Sequence, residues 1–201
     1  MKQIGIMGGT FDPPHLGHLI IAESMREQLQ LDEIRFMPNG KIAYKEVSHM
    51  ATPQQRLEMV RLAIQDHPAF VADSTEIDRA GTTYTYQTME ALVKQDPDAA
   101  FTFLMGADSL DYMERWKHPE RIFPCCQVAA VLRPGFSFAR AEEKKRELEK
   151  RFDARITLVE SPQISISSTE LRRRLQDGCS VRYLIPESVE TYIRKHGLYC
   201  G

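Results

Sequence analysis

Six short apolar runs punctuate the chain: Ile4–Met7, Ile34–Met37, Phe70–Ala72, Phe101–Met105, Val128–Leu132 and Ile156–Val159. Each has the length of a buried strand rather than of a helix. Between most of them apolar positions recur at helical spacing, over Leu19–Leu29, Gln54–Ile64, Gln87–Lys94 and Phe138–Arg151. Strands alternating with helices predict an α/β fold: a doubly wound, mostly parallel sheet with helices on both faces. Handedness then makes the crossovers right-handed. After Val159 the pattern turns helical, over Thr169–Gln176 and then Ser188–Lys195, which Gly197 ends.

Boundary residues sharpen these elements. In Thr52-Pro53-Gln54-Gln55, Thr is an N-cap, Pro suits the first turn, and Gln55 holds the capping-box position. Ser167 and Glu170 repeat the box, and Gly178 and Gly197 are suited to C-terminal caps. The run from Phe138 to Arg151 is dense in charge, with Glu142–Arg146 and Glu147–Arg151 at i,i+4. That is the pattern of a solvated helix face. No internal repeat, low-complexity tract or linker interrupts the 201 residues. The length suits one domain over 1–201, with a helical C-terminal part from about residue 168.

Composition excludes several classes. A net charge of −2 gives no global basic footprint, which argues against a nucleic-acid partner. No apolar run is long enough to span a bilayer, and the N-terminus enters a strand directly instead of a targeting segment. Cys125, Cys126, Cys179 and Cys200 form no C-x-x-C pair, and adjacent Cys125-Cys126 is a poor disulfide or zinc framework. Idle thiols fit a reducing compartment, so a cytoplasmic location is expected.

Candidate chemistry gathers in three loops that follow strands, where open parallel sheets bind ligands. The first is Gly8-Gly9-Thr10-Phe11-Asp12-Pro13-Pro14-His15-Leu16-Gly17-His18. Gly8 and Gly9 allow positive φ and close backbone approach to a ligand. The helix start that follows offers N–H groups and a positive dipole end to an anion. His15 and His18, three apart, would present both imidazoles on one helical face, and Gly17 between them lets a ligand lie near the backbone. Taken alone, the two histidines also suit a surface pair or half of a metal site, for which Asp12 is the only nearby carboxylate. The second loop is Gly106-Ala107-Asp108-Ser109, where Asp108 suits ribose hydroxyls and also a helix cap. The third runs from Ser165 to Arg174, where hydroxyls and free N–H groups open a helix and arginines follow. Such a start binds phosphate, and the arginines can neutralise more of its charge.

The first string resembles the signature of the H-x-G-H nucleotidyltransferase superfamily. Its fuller form G-G-T-F-D-P-x-H-x-G-H is similar to that of bacterial nicotinate-nucleotide adenylyltransferases. Ile166-Ser167-Ser168-Thr169-x-x-Arg172 resembles the second signature of that family, which holds the ATP triphosphate. Arg79-Ala80-Gly81-Thr82-Thr83-Tyr84-Thr85 resembles its R-x-G-x-[ST]-Y-T segment on the acceptor side, Trp116 the aromatic that stacks on the pyridine ring, and Arg133-Pro134-Gly135 an element near the nucleotide. One departure stands out: the family's P-P-H-K becomes Ile42-Ala43-Tyr44-Lys45, which keeps Lys45 but loses the histidine.

The resemblance implies a Rossmann-like fold and transfer of AMP from ATP to nicotinate mononucleotide, releasing pyrophosphate. It implies that His15 and His18 are catalytic. ATP would be bound by Gly8, Gly9, Thr10, Phe11, His18, Gly106, Asp108, Arg133, Ser167, Ser168, Thr169 and Arg172, with Thr10 and Phe11 acting through backbone groups. Lys45, Tyr84, Thr85 and Trp116 would contact the acceptor. Mg2+ would be held mainly through the ATP phosphates, with no dedicated protein metal site. Homo-oligomers are common among such enzymes. Nicotinamide mononucleotide, another phosphate acceptor, and a non-catalytic nucleotide sensor are the alternatives.

Overall fold

In chain order the elements are β1 (Lys2–Gly9), α1 (Leu16–Gln28), β2 (Glu33–Pro38), α2 (Pro53–Ile64), β3 (Phe70–Ala72), α3 (Thr75–Asp78), α4 (Thr85–Gln95), β4 (Ala99–Gly106), α5 (Leu110–Met113), β5 (Gln127–Val131), α6 (Phe138–Phe152), β6 (Ile156–Val159), α7 (Ser168–Gln176) and α8 (Glu187–His196). Two 3-10 turns, Ala107–Ser109 and Pro119–Arg121, flank α5. This computed structural model describes residues 1–40, 50–132, 137–162 and 164–200.

All six expected strands are present, and they form one parallel sheet in the order β3-β2-β1-β4-β5-β6. This is the doubly wound, Rossmann-like order, in which the winding reverses between β1 and β4. Ile6 of β1 pairs with Phe103 of β4, Leu104 of β4 with Ala129 of β5, and Ala130 of β5 with Leu158 of β6. Val128, Ala129, Ala130 and Val131 are consecutively buried. Burial on both faces of a parallel strand explains why its sequence is an apolar run rather than an alternation.

The chain divides into two compact units. The first comprises Met1–Gly8, Ile21–Arg35 and Tyr84–Gln163. Within it Gly5 is needed for close packing: a Cβ there would lie 2.8 Å from Leu31 and 3.0 Å from Leu104. The second comprises Gly9–Ile20, Phe36–Thr83 and Ile164–Gly201. Its core includes Met59 of α2, Leu171 of α7 and Val189 and Ile193 of α8, together with Val181, Ile185 and Tyr199.

Most of the expected caps are realised. Thr52 accepts from the Gln55 N–H while the Gln55 side chain accepts from the Thr52 N–H, so the capping box is complete. Thr52→Ala is expected to destabilise the chain by about 1 kcal/mol, read as a small drop in melting temperature. Gly178 and Gly197 take positive φ, at 69° and 58°. After each, the chain bonds back into the last helical turn, Cys179 N–H to Arg174 O and Leu198 N–H to Ile193 O.

Two expected contacts are not made. Ser167 caps Glu170 N–H, but the Glu170 carboxylate turns to Arg173 instead of closing the box. Glu147 pairs with Lys144 and Arg151 with Glu114, in place of the expected Glu147–Arg151 pair. Both reflect ordinary competition among exposed charges of similar reach. No helix among the described residues is long and apolar enough to cross a membrane.

Candidate active site

The loop after β1 belongs to the second unit from Gly9 onward. Its expected glycine geometry is not the observed one. Gly8 and Gly9 end the strand without positive φ, and the left-handed residue is Phe11, at φ 50°. Gly9 instead makes room for Phe11, whose ring would stand 3.1 Å from a Cβ at that position. Phe11 is buried, edge-on to His18 at 5.0 Å and tilted against Phe36 at 5.8 Å. Thr10 O accepts from Arg56, which fixes the backbone just before Phe11.

His15 and His18 are brought together, but not as two rungs of one helical turn. The helix begins at Leu16, three residues before the apolar periodicity, because the polar signature itself supplies the first turn. His15 lies just outside the helix and His18 inside it, with rings stacked at 3.6 Å and 21°. The His15 N–H donates to His18 Nδ1 at 3.1 Å, so the neutral His18 ring carries its proton on Nε2. His15 is 6% exposed. Gly17 is small for His15 rather than for a ligand: a Cβ there would lie 3.0 Å from His15 Nδ1. The Leu16 N–H, one of the helix-start donors, is taken by Leu184 O.

Beneath this loop lies a buried polar knot. Asp12 is 0% exposed. Its Oδ1 accepts from the Ala51 N–H at 3.1 Å and from the Tyr199 hydroxyl. Arg172 donates to the Asp12 carbonyl at 2.7 Å and stands 3.7 Å from Asp12 Oδ2. Arg56, 2% exposed, donates to Thr10 O at 2.8 Å and Asn39 O at 2.6 Å. Burial lowers the Arg56 guanidinium pKa from its ordinary value, against the pull of the Asp12 charge. Burial and Asp12 together push the Tyr199 phenol far above its usual range, so it remains a donor.

The helix of the second motif, α7, meets the same loop. Ser168 Oγ donates to Pro13 O at 2.9 Å. Ser167 and Thr169 are exposed at the helix start, and Arg172 Nη2 is 3.4 Å from Thr169 Oγ1. The arginine run divides, and only Arg172 faces the loop. Arg173 pairs with Glu170 and Asp177, and Arg174 donates to Ser180 O. Arg56 and Tyr199 are the participants that sequence reading missed, and Asp12 was read only as the carboxylate near a His-pair metal site. Arg56 had one legible signal, since it holds a position in the buried stripe of α2 with Met59, Val60 and Ile64.

The other candidates among the described residues lie in the first unit. Gly8 is the last residue but one of β1, and a Cβ there would meet Phe103 at 3.8 Å, an ordinary contact. Gly106 closes β4 and is buried, whereas Asp108 is exposed in the 3-10 turn that follows. Ser109 makes no side-chain cap bond to α5. Trp116 is half-buried, with its ring edge-on to Phe103 at 5.9 Å. Tyr84 is the N-cap residue of α4 and Thr85 the first residue of that helix, while the Lys117 ammonium sits 4.4 Å from the Tyr84 ring centre. Lys45 and Arg133 lie outside the described residues, as does Tyr44. Among the described residues no three His, Cys, Asp or Glu side chains are grouped to hold a metal ion. Asp12, the carboxylate that a His-pair metal site would need, is bound to Ala51 and Tyr199 instead.

Comparison with known proteins agrees with this architecture. The cytidylyltransferase-like family model matches residues 6–174. A probable nicotinate-nucleotide adenylyltransferase from Lachnoclostridium phytofermentans is 41% identical over 199 residues, covering 99% of this chain and 100% of that protein. One from Roseiflexus sp. is 43% identical, covering 98% and 97%. A solved structure of Plasmodium falciparum nicotinic acid mononucleotide adenylyltransferase, complexed with NaAD, superposes with a TM-score of 0.80 at 21% identity. It covers 99% of this chain and 98% of that one, and supports the fold alone. By the extent of these matches, the chain belongs to the cytidylyltransferase-like family and, within it, to the nicotinate-nucleotide adenylyltransferases.

Proposed function

We propose that this chain transfers AMP from ATP to the phosphate of nicotinate mononucleotide, giving nicotinate adenine dinucleotide and pyrophosphate, a step of NAD biosynthesis. The observation that carries the reading is the stacked His15–His18 pair on a loop that Ser168 and Arg172 of the second motif grip directly. The acceptor phosphate is already an anionic nucleophile. The protein's task is to bring two anions into line and to stabilise charge at the α-phosphorus. Nε2–H of His18 suits donation to an α-phosphate oxygen, with His15 beside it. Ser167, Ser168, Thr169 and Arg172 suit the β- and γ-phosphates, which leave as pyrophosphate. Gly8, Gly9, Thr10, Phe11, Gly106, Asp108 and Arg133 are assigned to ATP, and Lys45, Tyr84, Thr85 and Trp116 to the acceptor.

In this reading Mg2+ would be held mainly through the ATP phosphates and would supply neutralisation of the triphosphate charge. Asp12 does not suit a hydrated cation, being wholly buried and already bound by two donors. One family model over residues 6–174 supports reading the chain as a single nucleotidyltransferase domain with a helical end from about 168, and the same reading places the enzyme in the cytoplasm. Homo-oligomerisation is left to a sizing measurement.

The test is pyrophosphate release from ATP and magnesium with the acid and amide mononucleotides as parallel acceptors. Strong release with the acid and weak release with the amide is the expected result. Equal release would remove the acid preference. No release from a folded, ATP-binding protein would favour the sensor reading.

A further inference from the structure

Arg172 serves two neighbours. One Nη1 donates to the Asp12 carbonyl at 2.7 Å and lies 3.7 Å from Asp12 Oδ2, while Nη2 reaches Thr169 Oγ1 at 3.4 Å. Its side chain is 23% exposed. Asp12 Oδ2 has no hydrogen-bond partner among the described residues, so how firmly that guanidinium is seated depends on how firmly the Asp12 carboxylate is held. A wholly buried carboxylate has about four acceptor positions and draws the nearest donors to itself. Here Ala51 N–H and the Tyr199 hydroxyl both serve Oδ1. Tyr199 lies beyond α8 and is itself buried, held among the apolar residues of α2, α7 and α8. Its burial keeps the phenol protonated across the working pH range, so the donation is permanent.

We propose that Tyr199 is a positioning residue for ATP. By holding Asp12 Oδ1, its hydroxyl fixes the carboxylate whose Oδ2 and carbonyl seat the Arg172 guanidinium, and so fixes that guanidinium for the triphosphate. This rests on the assignment of Arg172 to ATP made above. The C-terminal segment therefore reaches the nucleotide site through two side chains, without touching the nucleotide itself. A tyrosine that merely filled the core would affect stability and nothing else. A positioning tyrosine affects ATP selectively, because Arg172 is the group it acts through.

The test compares wild type with Tyr199→Phe, which keeps the ring in its core and removes only the hydroxyl. Ser188→Ala is the matched control. It removes the Ser188 hydroxyl bond to Leu62 O, at 2.9 Å, which also ties α8 to α2 but does not reach the loop. For Tyr199→Phe, the KM for ATP and the calorimetric Kd for ATP are expected to rise about five- to tenfold, the scale of one hydrogen bond to a charged group. kcat should stay within about twofold, and the KM for nicotinate mononucleotide should not move. Ser188→Ala should leave all four quantities as in wild type. If Tyr199→Phe does not fold, Asp12→Asn takes its place. It keeps Oδ1 as an acceptor for Tyr199 and Ala51 but turns an amide NH2 toward Arg172, and the ATP Kd should rise in the same direction. Unchanged ATP Kd in the folded variant, or an equal rise in Ser188→Ala, would overturn the proposal. Absence of turnover in wild type would fail the adenylyltransferase reading instead, and the ATP Kd series would still judge Tyr199.

Discussion

His18→Ala lowers kcat by about 10²–10³, the usual loss when one donor to developing charge is removed, while the chain remains folded. The expectation comes from the ring's fixed orientation. Its Nδ1 is occupied by the His15 N–H at 3.1 Å, so the neutral ring keeps its proton on Nε2 as a donor. Phe11 stands edge-on at 5.0 Å and His15 is stacked at 3.6 Å, which restricts the ring's rotation. A donor held in this way costs little reorganisation when charge shifts onto an α-phosphate oxygen. The ATP Kd should change far less than kcat, because the bond strengthens only as the transition state forms. Steady-state pyrophosphate release with a parallel thermal melt separates the two effects. Turnover like wild type would remove His18 from the chemistry.

Arg56→Met is expected to destabilise the protein by about 2–4 kcal/mol, because it leaves two carbonyls without their donor, at about 1–3 kcal/mol for each buried group left unsatisfied. Methionine matches the aliphatic stem and isolates the loss of the guanidinium. Two carbonyls, Thr10 O and Asn39 O, would lose their donors, and Asp12 would keep its buried charge with one fewer cation nearby. Chemical denaturation should show the midpoint falling at constant m-value. A loss below about 1 kcal/mol would mean that these groups are satisfied in another way. Activity should fall as well, since the Thr10 carbonyl holds the chain immediately before Phe11 and the histidines.

The sheet was legible because a parallel strand buried on both faces reads as an apolar run, most plainly in Val128–Val131, although Arg35, Thr102 and Thr157 interrupt the runs of β2, β4 and β6. The helices were legible through period and caps, Thr52–Gln55 being the best case. Four-residue helices such as α3 and α5 complete barely one turn and carry no periodicity to read. The start of α1 was read three residues late because its first turn is spelled by site residues, Leu16-Gly17-His18, rather than by an apolar stripe. The motif residues themselves were plain in the sequence. What they touch was not, and the corrections at both site glycines concern what fills the space beside a residue: Phe11 beside Gly9, His15 beside Gly17.

The sequence by itself determined the order of strands and helices, the caps and the residue types at the site, because local pattern and chemistry are properties of neighbours along the chain. It also determined the family, through two motifs about 150 residues apart, His15–His18 and Ser167–Arg172. Only the tertiary structure decided that Asp12 is the point on which those motifs converge. Ala51, Arg172 and Tyr199 reach it from 39, 160 and 187 residues away. A buried carboxylate must collect donors wherever the fold brings them, and no local pattern records which ones those will be.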